Sequence, residues 1–244
     1  MKNRIIARLD IKSLNLIKGI HLEGLKIIGD PSKYAEKYFK DNIDEIVIID
    51  SVATLYNRKP NLELLKKITK NIFCPITIGG GIKSLSDAIS ILDCGCDKIA
   101  INTAAVKNPK LITELAKTIG SQSVVLSVQA KKRHGWWELF TDNGREKKSI
   151  DVMEWIKRVN DLGAGEILLT SIDQEGTRDG FDIDLINQAA IISKCPIICS
   201  GGMGKLEHIK EVNLNTECRA FAIADFFHIQ NNKVRKIKNF LLEK

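Results

Sequence analysis

The sequence predicts an α/β protein built as a closed barrel of eight parallel strands inside a layer of helices. Three observations support this fold class. Short apolar runs alternate with amphipathic stretches along the chain, and that alternation is typical of a parallel sheet. Eight strand–helix units fit into 244 residues, and the two halves of the chain resemble each other. We therefore expect a single (β/α)8 domain of the TIM-barrel class over residues 1–244.

The predicted strands are short runs of Ile, Val, Leu and Ala that end in polar residues or glycine, as buried parallel strands do. They are RIIARLD (4–10), DEIVIID (44–50), CPITIG (74–79), DKIAIN (97–102), SVVLSVQ (123–129), GEILLT (165–170), CPIICS (195–200) and RAFAIA (219–224).

The predicted helices lie between these strands and after the last one. They are PSKYAEKYFKD, NLELLKKITKNI, LSDAISILDCG, NPKLITELAKTI, IDVMEWIKRVND, DIDLINQAAIIS, KLEHIKEVN and KVRKIKNFLLE. Two of them carry a start signal, because DPSK (30–33) and NPKL (108–111) place proline just after an Asp or Asn cap.

An internal repeat indicates a duplicated half-barrel. GGGI (79–82) follows the third strand and SGGMG (200–204) follows the seventh. Asp10 ends the first strand and Gln129 ends the fifth. In a parallel barrel all of these strand ends face one mouth, so we expect these residues to lie together there.

The composition favours a soluble globular protein, with 44% hydrophobic and 27% charged residues. No 18-residue apolar run and no basic-then-apolar leader occurs in the chain, so we expect a cytoplasmic protein without a membrane span or secretory signal. The cysteines are predicted to be reduced core residues, and no metal or cofactor is expected. They are Cys74, Cys94, Cys96, Cys195, Cys199 and Cys218.

The net charge of +7 raises the question of nucleic-acid binding. The lysines are spread over helix faces, and no basic stripe interleaved with aromatic residues is present. The densest cluster, KKRHGWW (131–137), is predicted to be one solvated loop. We therefore expect no nucleic-acid partner.

Two glycine-rich turns predict phosphate cradles, because such turns expose backbone N–H groups that suit an anion. The first cradle combines Gly81 with Asn102 and Thr103. Its simpler alternative is a pair of tight turns with no ligand.

The second cradle combines Gly176, Thr177 and Gly202 with the turn after the last strand, where Asp225 stands. A carboxylate beside a phosphate dianion is unfavourable unless a cation lies between them. We expect either a different ligand in this cradle or an Asp225 side chain that points away from it.

Motifs along essentially the whole chain resemble the cyclase (synthase) subunit of imidazole glycerol phosphate synthase. They are RIIARLDIK with Lys18 and Gly19, then GDP (29–31), ITIGGGI, DKIAINTAAVKNP, GAGEILLTSID, EGT, CSGGMGKLEH and FFH. The resemblance implies a heterodimer in which a separate glutaminase subunit supplies ammonia. The barrel uses this ammonia to cleave and cyclise a bisphosphorylated ribulosyl-carboxamide nucleotide of histidine biosynthesis. Lys18, Asp50 and Thr170 are further candidates for substrate contacts.

At the mouth this chain departs from the family's pattern. The resemblance implies two acid–base aspartates; Asp10 matches the first, but Gln129 stands at the second. An amide cannot accept and return a proton near neutral pH. Arg8 stands where the family has a cysteine, Glu175 where it has an aspartate, and Asp225 where it has a serine.

At the opposite end of the barrel the family's pattern is complete. The resemblance implies an ammonia gate of four charges, a lined passage and a contact with the glutaminase. The matching residues are Arg4, Glu45, Lys98 and Glu166 for the gate, Thr77 and Ser200 for the passage, and Asp97 for the contact. A purely structural set of salt bridges is the alternative for the four charges.

Three functions remain open from the sequence. The main interpretation is an ammonia-using barrel subunit of a glutamine-dependent amidotransferase with a changed substrate, since paralogues in this family are associated with acetamidino modification of surface-polysaccharide sugars. The second is a genuine cyclase of histidine biosynthesis, with Asp10 and Asp50 sharing proton transfer. The third is a scaffold that conducts ammonia and performs no chemistry itself.

Overall fold

The computed structural model describes residues 3–242 and shows a closed parallel barrel surrounded by helices. The strands are β1 (Arg4–Lys12), β2 (Asn15–Ile20), β3 (Glu23–Gly29), β4 (Glu45–Asp50), β5 (Ile76–Gly79), β6 (Lys98–Ile101), β7 (Val124–Arg133), β8 (Trp136–Thr141), β9 (Glu146–Asp151), β10 (Glu166–Ser171), β11 (Ile197–Ser200) and β12 (Ala220–Ile223). The ring runs β1, β4, β5, β6, β7, β10, β11, β12 and closes between β12 and β1. The predicted (β/α)8 TIM barrel is confirmed.

The helices follow the predicted alternation, with two short additions. They are α1 (Pro31–Lys40), α2 (Leu62–Thr69), α3 (Leu85–Leu92), α4 (Thr103–Lys107), α5 (Lys110–Ile119), α6 (Val152–Leu162), α7 (Ile183–Ile192), α8 (Glu207–Asn215), α9 (Asp225–His228) and α10 (Val234–Leu242). The additions, α4 and α9, follow β6 and β12, which are equivalent strands of the two halves. No helix within residues 3–242 is long and apolar enough to cross a membrane.

The two proline-containing start signals give different results. Asp30 caps α1, and its carboxylate accepts a hydrogen bond from the Ser32 backbone N–H at 2.8 Å. At α5 the cap position is taken by Pro109 and no side chain caps the helix. The Asn108 side-chain cap is therefore not formed, and the Asn108 carbonyl instead accepts from the Leu111 N–H at 3.1 Å.

Two antiparallel hairpins were not predicted. β2 and β3 extend β1, whereas β8 and β9 extend β7, so each half of the barrel carries a hairpin at the same place. The prediction of a loop over 131–137 is wrong, because β7 continues to Arg133 and β8 begins at Trp136. Gly135 has φ +86°, a left-handed conformation that glycine adopts without strain and that permits this tight turn.

Side chains of the barrel strands alternate between two apolar layers. On β1, Ala7 and Leu9 pack outward against the helices, whereas Ile6 belongs to an inner cluster on the barrel axis. The other members of the inner cluster are Val47, Ala100, Val125, Leu168, Ile198, Ala220 and Ala222. The interior is therefore apolar between its two charged ends, and it is filled as barrel interiors usually are.

Candidate active site

The first strand places a buried ion pair at the mouth. Arg8 is 2% exposed, and its Nε donates to Asp10 Oδ1 at 3.1 Å. Its Nη1 donates to the hydroxyls of Thr170 and Ser200, each at 3.0 Å. A buried charge is tolerated only when it is paired and hydrogen-bonded. These bonds therefore hold both Arg8 and the predicted catalytic Asp10 in fixed positions.

A second ion pair continues this network. Lys18 Nζ contacts Glu175 Oε1, and Glu175 Oε2 lies 3.9 Å from Arg8 Nη1. All of these side chains are buried. Burial lowers the pKa of Lys18 to about 8; the nearby Asp10 carboxylate opposes this, and the Arg8 charge adds to it. The mouth thus holds an alternating chain of charges, Asp10–Arg8–Glu175–Lys18.

Gln129 occupies the corresponding position on the fifth barrel strand, β7, where the pairing with β10 ends and the pairing with β8 begins; the predicted strand end at Gln129 is therefore four residues too early. Gln129 is 4% exposed, and its Oε1 accepts hydrogen bonds from Gly144 N at 2.9 Å and from Asn102 Nδ2 at 3.2 Å. Both partners are donors, so the place that Gln129 fills suits an oxygen acceptor. Within residues 3–242, Gln129 makes no hydrogen bond with Asp10 or Arg8.

The first cradle is a single cleft. Gly81, Asn102 and Thr103 line it as the sequence predicts, together with Asp50. Ser51 and Asn143, which were not predicted, line it as well. Buried oxygens of three lining residues, Ser51 Oγ, Asn102 Oδ1 and Asn143 Oδ1, have no hydrogen-bond partner among residues 3–242. Buried polar atoms are normally paired, so these oxygens indicate a place prepared for a ligand.

Asp50 supports the turn that forms this cleft. Its Oδ1 accepts from the backbone N–H groups of Val52 at 3.1 Å and Ala53 at 3.0 Å, and Arg58 Nη2 lies 3.8 Å away. These bonds give Asp50 a structural role. They weaken the idea that it shares proton transfer with Asp10.

In the second cradle the structure resolves the problem posed by Asp225. Gly176, Gly202 and Asp225 line one cleft, so the carboxylate does not point away. Arg178 Nε donates to Asp225 Oδ1 at 2.6 Å and Nη2 donates to Oδ2 at 3.3 Å. The pairing of Asp225 with Arg178 was not predicted from the sequence. Thr177 lines the adjoining groove with Lys18.

The glycines of both cradles are required by close backbone approach. Gly80 has φ +102°, and a Cβ there would lie 2.4 Å from the Asp50 carbonyl oxygen. Gly202 has φ +101°, and a Cβ there would lie 1.8 Å from the Gly180 carbonyl oxygen. Side chains are excluded at both positions by space and by conformation.

At the amino ends of the strands, four charges form a closed ring, here called the charged ring. Its members are Arg4, Glu45, Lys98 and Glu166. Arg4 Nη1 lies 2.6 Å from Glu45 Oε1, and Lys98 Nζ lies 3.3 Å from Glu45 Oε2. Lys98 Nζ also lies 2.9 Å from Glu166 Oε2, and Arg4 pairs with Glu166 Oε1. Each carboxylate therefore bridges both cations, and the ring covers the end of the apolar interior.

Asp97 lies at the same end and is exposed. Its Oδ2 accepts from the Ile76 backbone N–H at 2.8 Å, and Asp44 makes the same contact with the Ile5 N–H at 2.8 Å. Asp97 therefore also has a local structural role, which any test of its part in partner binding must control for. Thr77 and Ser200 are buried inside the barrel.

Comparison with known proteins places these features in a family. Residues 4–233 match the family model described as "Histidine biosynthesis protein". The chain belongs to this family. It is 56% identical over 205 residues to a protein of Legionella pneumophila, with 84% of this chain and 97% of that protein covered.

Two further relatives extend over nearly the full length. A protein of Pyrococcus furiosus is 45% identical over 241 residues, covering 99% of this chain and 96% of its own length. One from Natranaerobius thermophilus is 41% identical over 244 residues, covering 100% and 97%. All three carry the name "Imidazole glycerol phosphate synthase subunit HisF". Nothing in these names refers to a modified sugar, so the comparisons favour the cyclase interpretation over the sugar-modifying one.

One residue of this family member was overlooked as part of the site, although it belongs to the FFH motif. His228 Nε2 lies 2.8 Å from the Arg8 carbonyl oxygen, and its Nδ1 lies 2.6 Å from the Tyr38 hydroxyl. Burial lowers the pKa of His228 to about 4, so the ring is neutral at pH 7. We assign its proton to Nε2, because the carbonyl can only accept. His228 thereby holds the Arg8 backbone in place.

Proposed function

We propose that this chain is the synthase subunit of an imidazole glycerol phosphate synthase and that it uses ammonia to cleave and cyclise the bisphosphorylated nucleotide described above. The observation that carries the proposal is the placement of the charged ring and of Asp10 at opposite ends of one apolar barrel interior. The names of the relatives support the same reaction.

Asp10 is the proposed proton acceptor and donor. Its Oδ1 accepts a hydrogen bond from Arg8, and the substrate group that exchanges the proton competes with Arg8 for this oxygen. Gln129 lies across the mouth and binds through its amide, because it has no proton to exchange. In this member of the family a single carboxylate therefore performs the acid–base work that the family's pattern divides between two.

The two clefts are the proposed sites for the phosphate groups. The first offers glycine turns and the unpaired Ser51 hydroxyl, which can donate to an anion, while the Asn102 and Asn143 Oδ1 atoms can accept from hydroxyl groups of the substrate. The second offers Arg178, which is already engaged by Asp225. An anion in the second cleft has to compete with a carboxylate for the same guanidinium. We therefore propose that the first cleft is the main anchor for the substrate.

A separate glutaminase subunit is the proposed partner, docked on the face that carries the charged ring. Ammonia released into bulk water near pH 7 is largely protonated and loses its nucleophilic lone pair. A sealed contact around the ring would keep the ammonia neutral on its way into the apolar interior. Arg4, Glu45, Lys98 and Glu166 are proposed as the gate, Thr77 and Ser200 as residues of the passage, and Asp97 as part of the contact.

A second candidate function is the same ammonia chemistry on a different substrate, such as a sugar whose acetamido group becomes an acetamidino group. The altered mouth favours it, since Arg8, Gln129 and Asp225 all differ from the pattern that the resemblance implies. In this case the charged ring and the glutaminase partner are retained, and only the substrate changes.

Complementation tests the first candidate. The gene is introduced into a histidine auxotroph that lacks its own synthase subunit, beside the same gene carrying Asp10→Asn. Growth with the parent gene and none with the variant supports the proposal. Equal growth with both removes Asp10 from the chemistry. No growth with either, although both chains accumulate and bind the glutaminase, favours the changed substrate.

A further inference from the structure

The Arg8 side chain crosses the inside of the barrel. Its strand, β1, pairs with β12 and β4, yet the guanidinium bonds to Thr170 on β10 and Ser200 on β11. These strands are the third and the second from β1 around the ring. The side chain therefore spans the interior and does not follow the wall.

Arg8 also lies between the two ends of the interior. Along β1, the inward-facing residues are Arg4 in the charged ring, Ile6 in the inner apolar cluster, Arg8, and Asp10 at the mouth. The guanidinium is thus directly above the apolar cluster and directly below the proposed catalytic carboxylate. A small molecule that travels along the interior from the ring to the mouth must pass it.

We propose that Arg8 is a positioning residue that closes the interior route for ammonia beneath the mouth, and that the route opens when substrate replaces Arg8 as the hydrogen-bond donor to Asp10. The inference rests on the proposed function, because it takes ammonia as the molecule that travels through the barrel.

The chemistry of the guanidinium suits this role. A guanidinium carries a positive charge and offers only N–H donors, so it repels ammonium ions and can donate to neutral ammonia. The apolar cluster below it also excludes ammonium, because burying an unpaired ion among apolar side chains is energetically costly. Neutral ammonia can accept an N–H bond from Arg8 in place of the Thr170 or Ser200 hydroxyl. Only the reactive form of the nitrogen source can therefore pass.

The bond to Asp10 links this closure to the substrate. A charge-assisted bond to a carboxylate is stronger than a bond to a neutral hydroxyl, so Asp10 is the partner that holds Arg8 most firmly. A substrate group that donates to Asp10 takes this bond away and leaves Arg8 with two hydroxyl contacts. Ammonia then reaches the mouth when there is substrate to receive it.

The test uses the complex with the glutaminase and measures the product formed per glutamine hydrolysed. Arg8→Met keeps an unbranched side chain up to about the position of Nε and removes every donor, whereas Arg8→Lys keeps the charge on a single nitrogen. With Arg8→Met, ammonia should escape before substrate arrives, and the product per glutamine should fall about 2- to 10-fold, the factor that one hydrogen bond represents. The product formed per glutamine by Arg8→Lys should lie between the values for Arg8→Met and the parent.

The isolated chain supplied with ammonium chloride is the control, because this ammonia enters through the mouth. If Arg8→Met slows both assays by one factor and leaves the product per glutamine unchanged, Arg8 merely supports Asp10 and the proposal is wrong.

A crystal structure keeps the inference testable if the parent complex turns over no nucleotide at all, an outcome that removes the proposed function itself. In crystals of Arg8→Ala, ordered solvent should extend from the mouth to the level of Thr170 and Ser200, and crystals of the parent should hold none there. An interior that stays dry and closed without the guanidinium would refute the role given to Arg8.

Discussion

Replacing Gln129 by glutamate should convert the single-carboxylate mouth into a two-carboxylate one. Glutamate has the length of glutamine, and the Oε1 position already receives N–H bonds from Gly144 and Asn102. A carboxylate oxygen therefore fits there without meeting a new acceptor. The substitution adds a negative charge and the ability to exchange a proton, and it removes the amide N–H donor.

The expected size of the effect follows from the role of the added group. A positioned acid or base contributes about 10²–10⁴-fold in rate, which corresponds to about 3–5 kcal/mol of transition-state stabilisation. The two N–H donors stabilise the charged carboxylate and make it a weaker base. We therefore expect a gain at the lower end, about 100-fold in kcat.

The assay supplies the isolated chain with the bisphosphorylated nucleotide and saturating ammonium chloride, and follows the nucleotide by chromatography. Gln129→Met is the matched control, because it preserves length but has neither a charge nor an amide, and it should give no gain. A parent chain that turns over within tenfold of Gln129→Glu would refute the reasoning that the amide limits the rate.

Four other results are expected. Replacing Asp97 and Lys98 by alanine should abolish both co-purification with the glutaminase and the increase in glutaminase rate on binding. Urea unfolding of the double variant controls for the lost bond from Asp97 to the Ile76 N–H. Unchanged binding would mean that the charged ring has only a structural role. Burial lowers the pKa of Lys18 to about 8, so above this pH the unfolded chain binds more protons and the unfolding free energy should rise with pH; urea titrations of Lys18→Met should lack that rise. Crystals grown in phosphate should hold the anion in the first cleft and not beside Asp225, and the reverse occupancy would contradict the order of the two sites. In the unfolded chain His228 takes up a proton below pH 6.5, whereas in the folded chain it stays neutral down to about pH 4. The unfolding free energy should therefore fall by about 2 kcal/mol between pH 7 and pH 5 because of this residue. Urea titrations of His228→Gln should lack this decrease of about 2 kcal/mol.

Periodicity was sufficient to predict the barrel but not the hairpins. The eight barrel strands are buried on both faces, so they appear in the sequence as continuous apolar runs. β3 and β9 are largely exposed, with polar and apolar residues mixed, and pairing with a neighbouring strand stabilises them. That pairing is a tertiary effect which no local pattern contains.

Site residues at strand ends could be located from the sequence, whereas their partners could not. Asp10 and Gln129 were placed at the mouth because strand direction determines where strand ends lie. The reach of Arg8 across the interior depends on side-chain conformation, which the sequence does not show. Arg178 directly follows Thr177 of the second cradle, but the sequence does not show that its guanidinium reaches Asp225.

The charged ring constrains how this chain can change over generations. Each of its two carboxylates is shared by both cations. Losing any one member therefore leaves a partly buried charge without one of its partners, and breaking such a pair is strongly destabilising. Replacing the set therefore requires several simultaneous mutations or passage through an unstable intermediate. The mouth is freer, because a new charge there can be matched by a single neighbouring residue, as Arg178 matches Asp225. The two ends of one barrel should therefore diverge at different speeds, with new chemistry arising at the mouth while the charged ring stays the same.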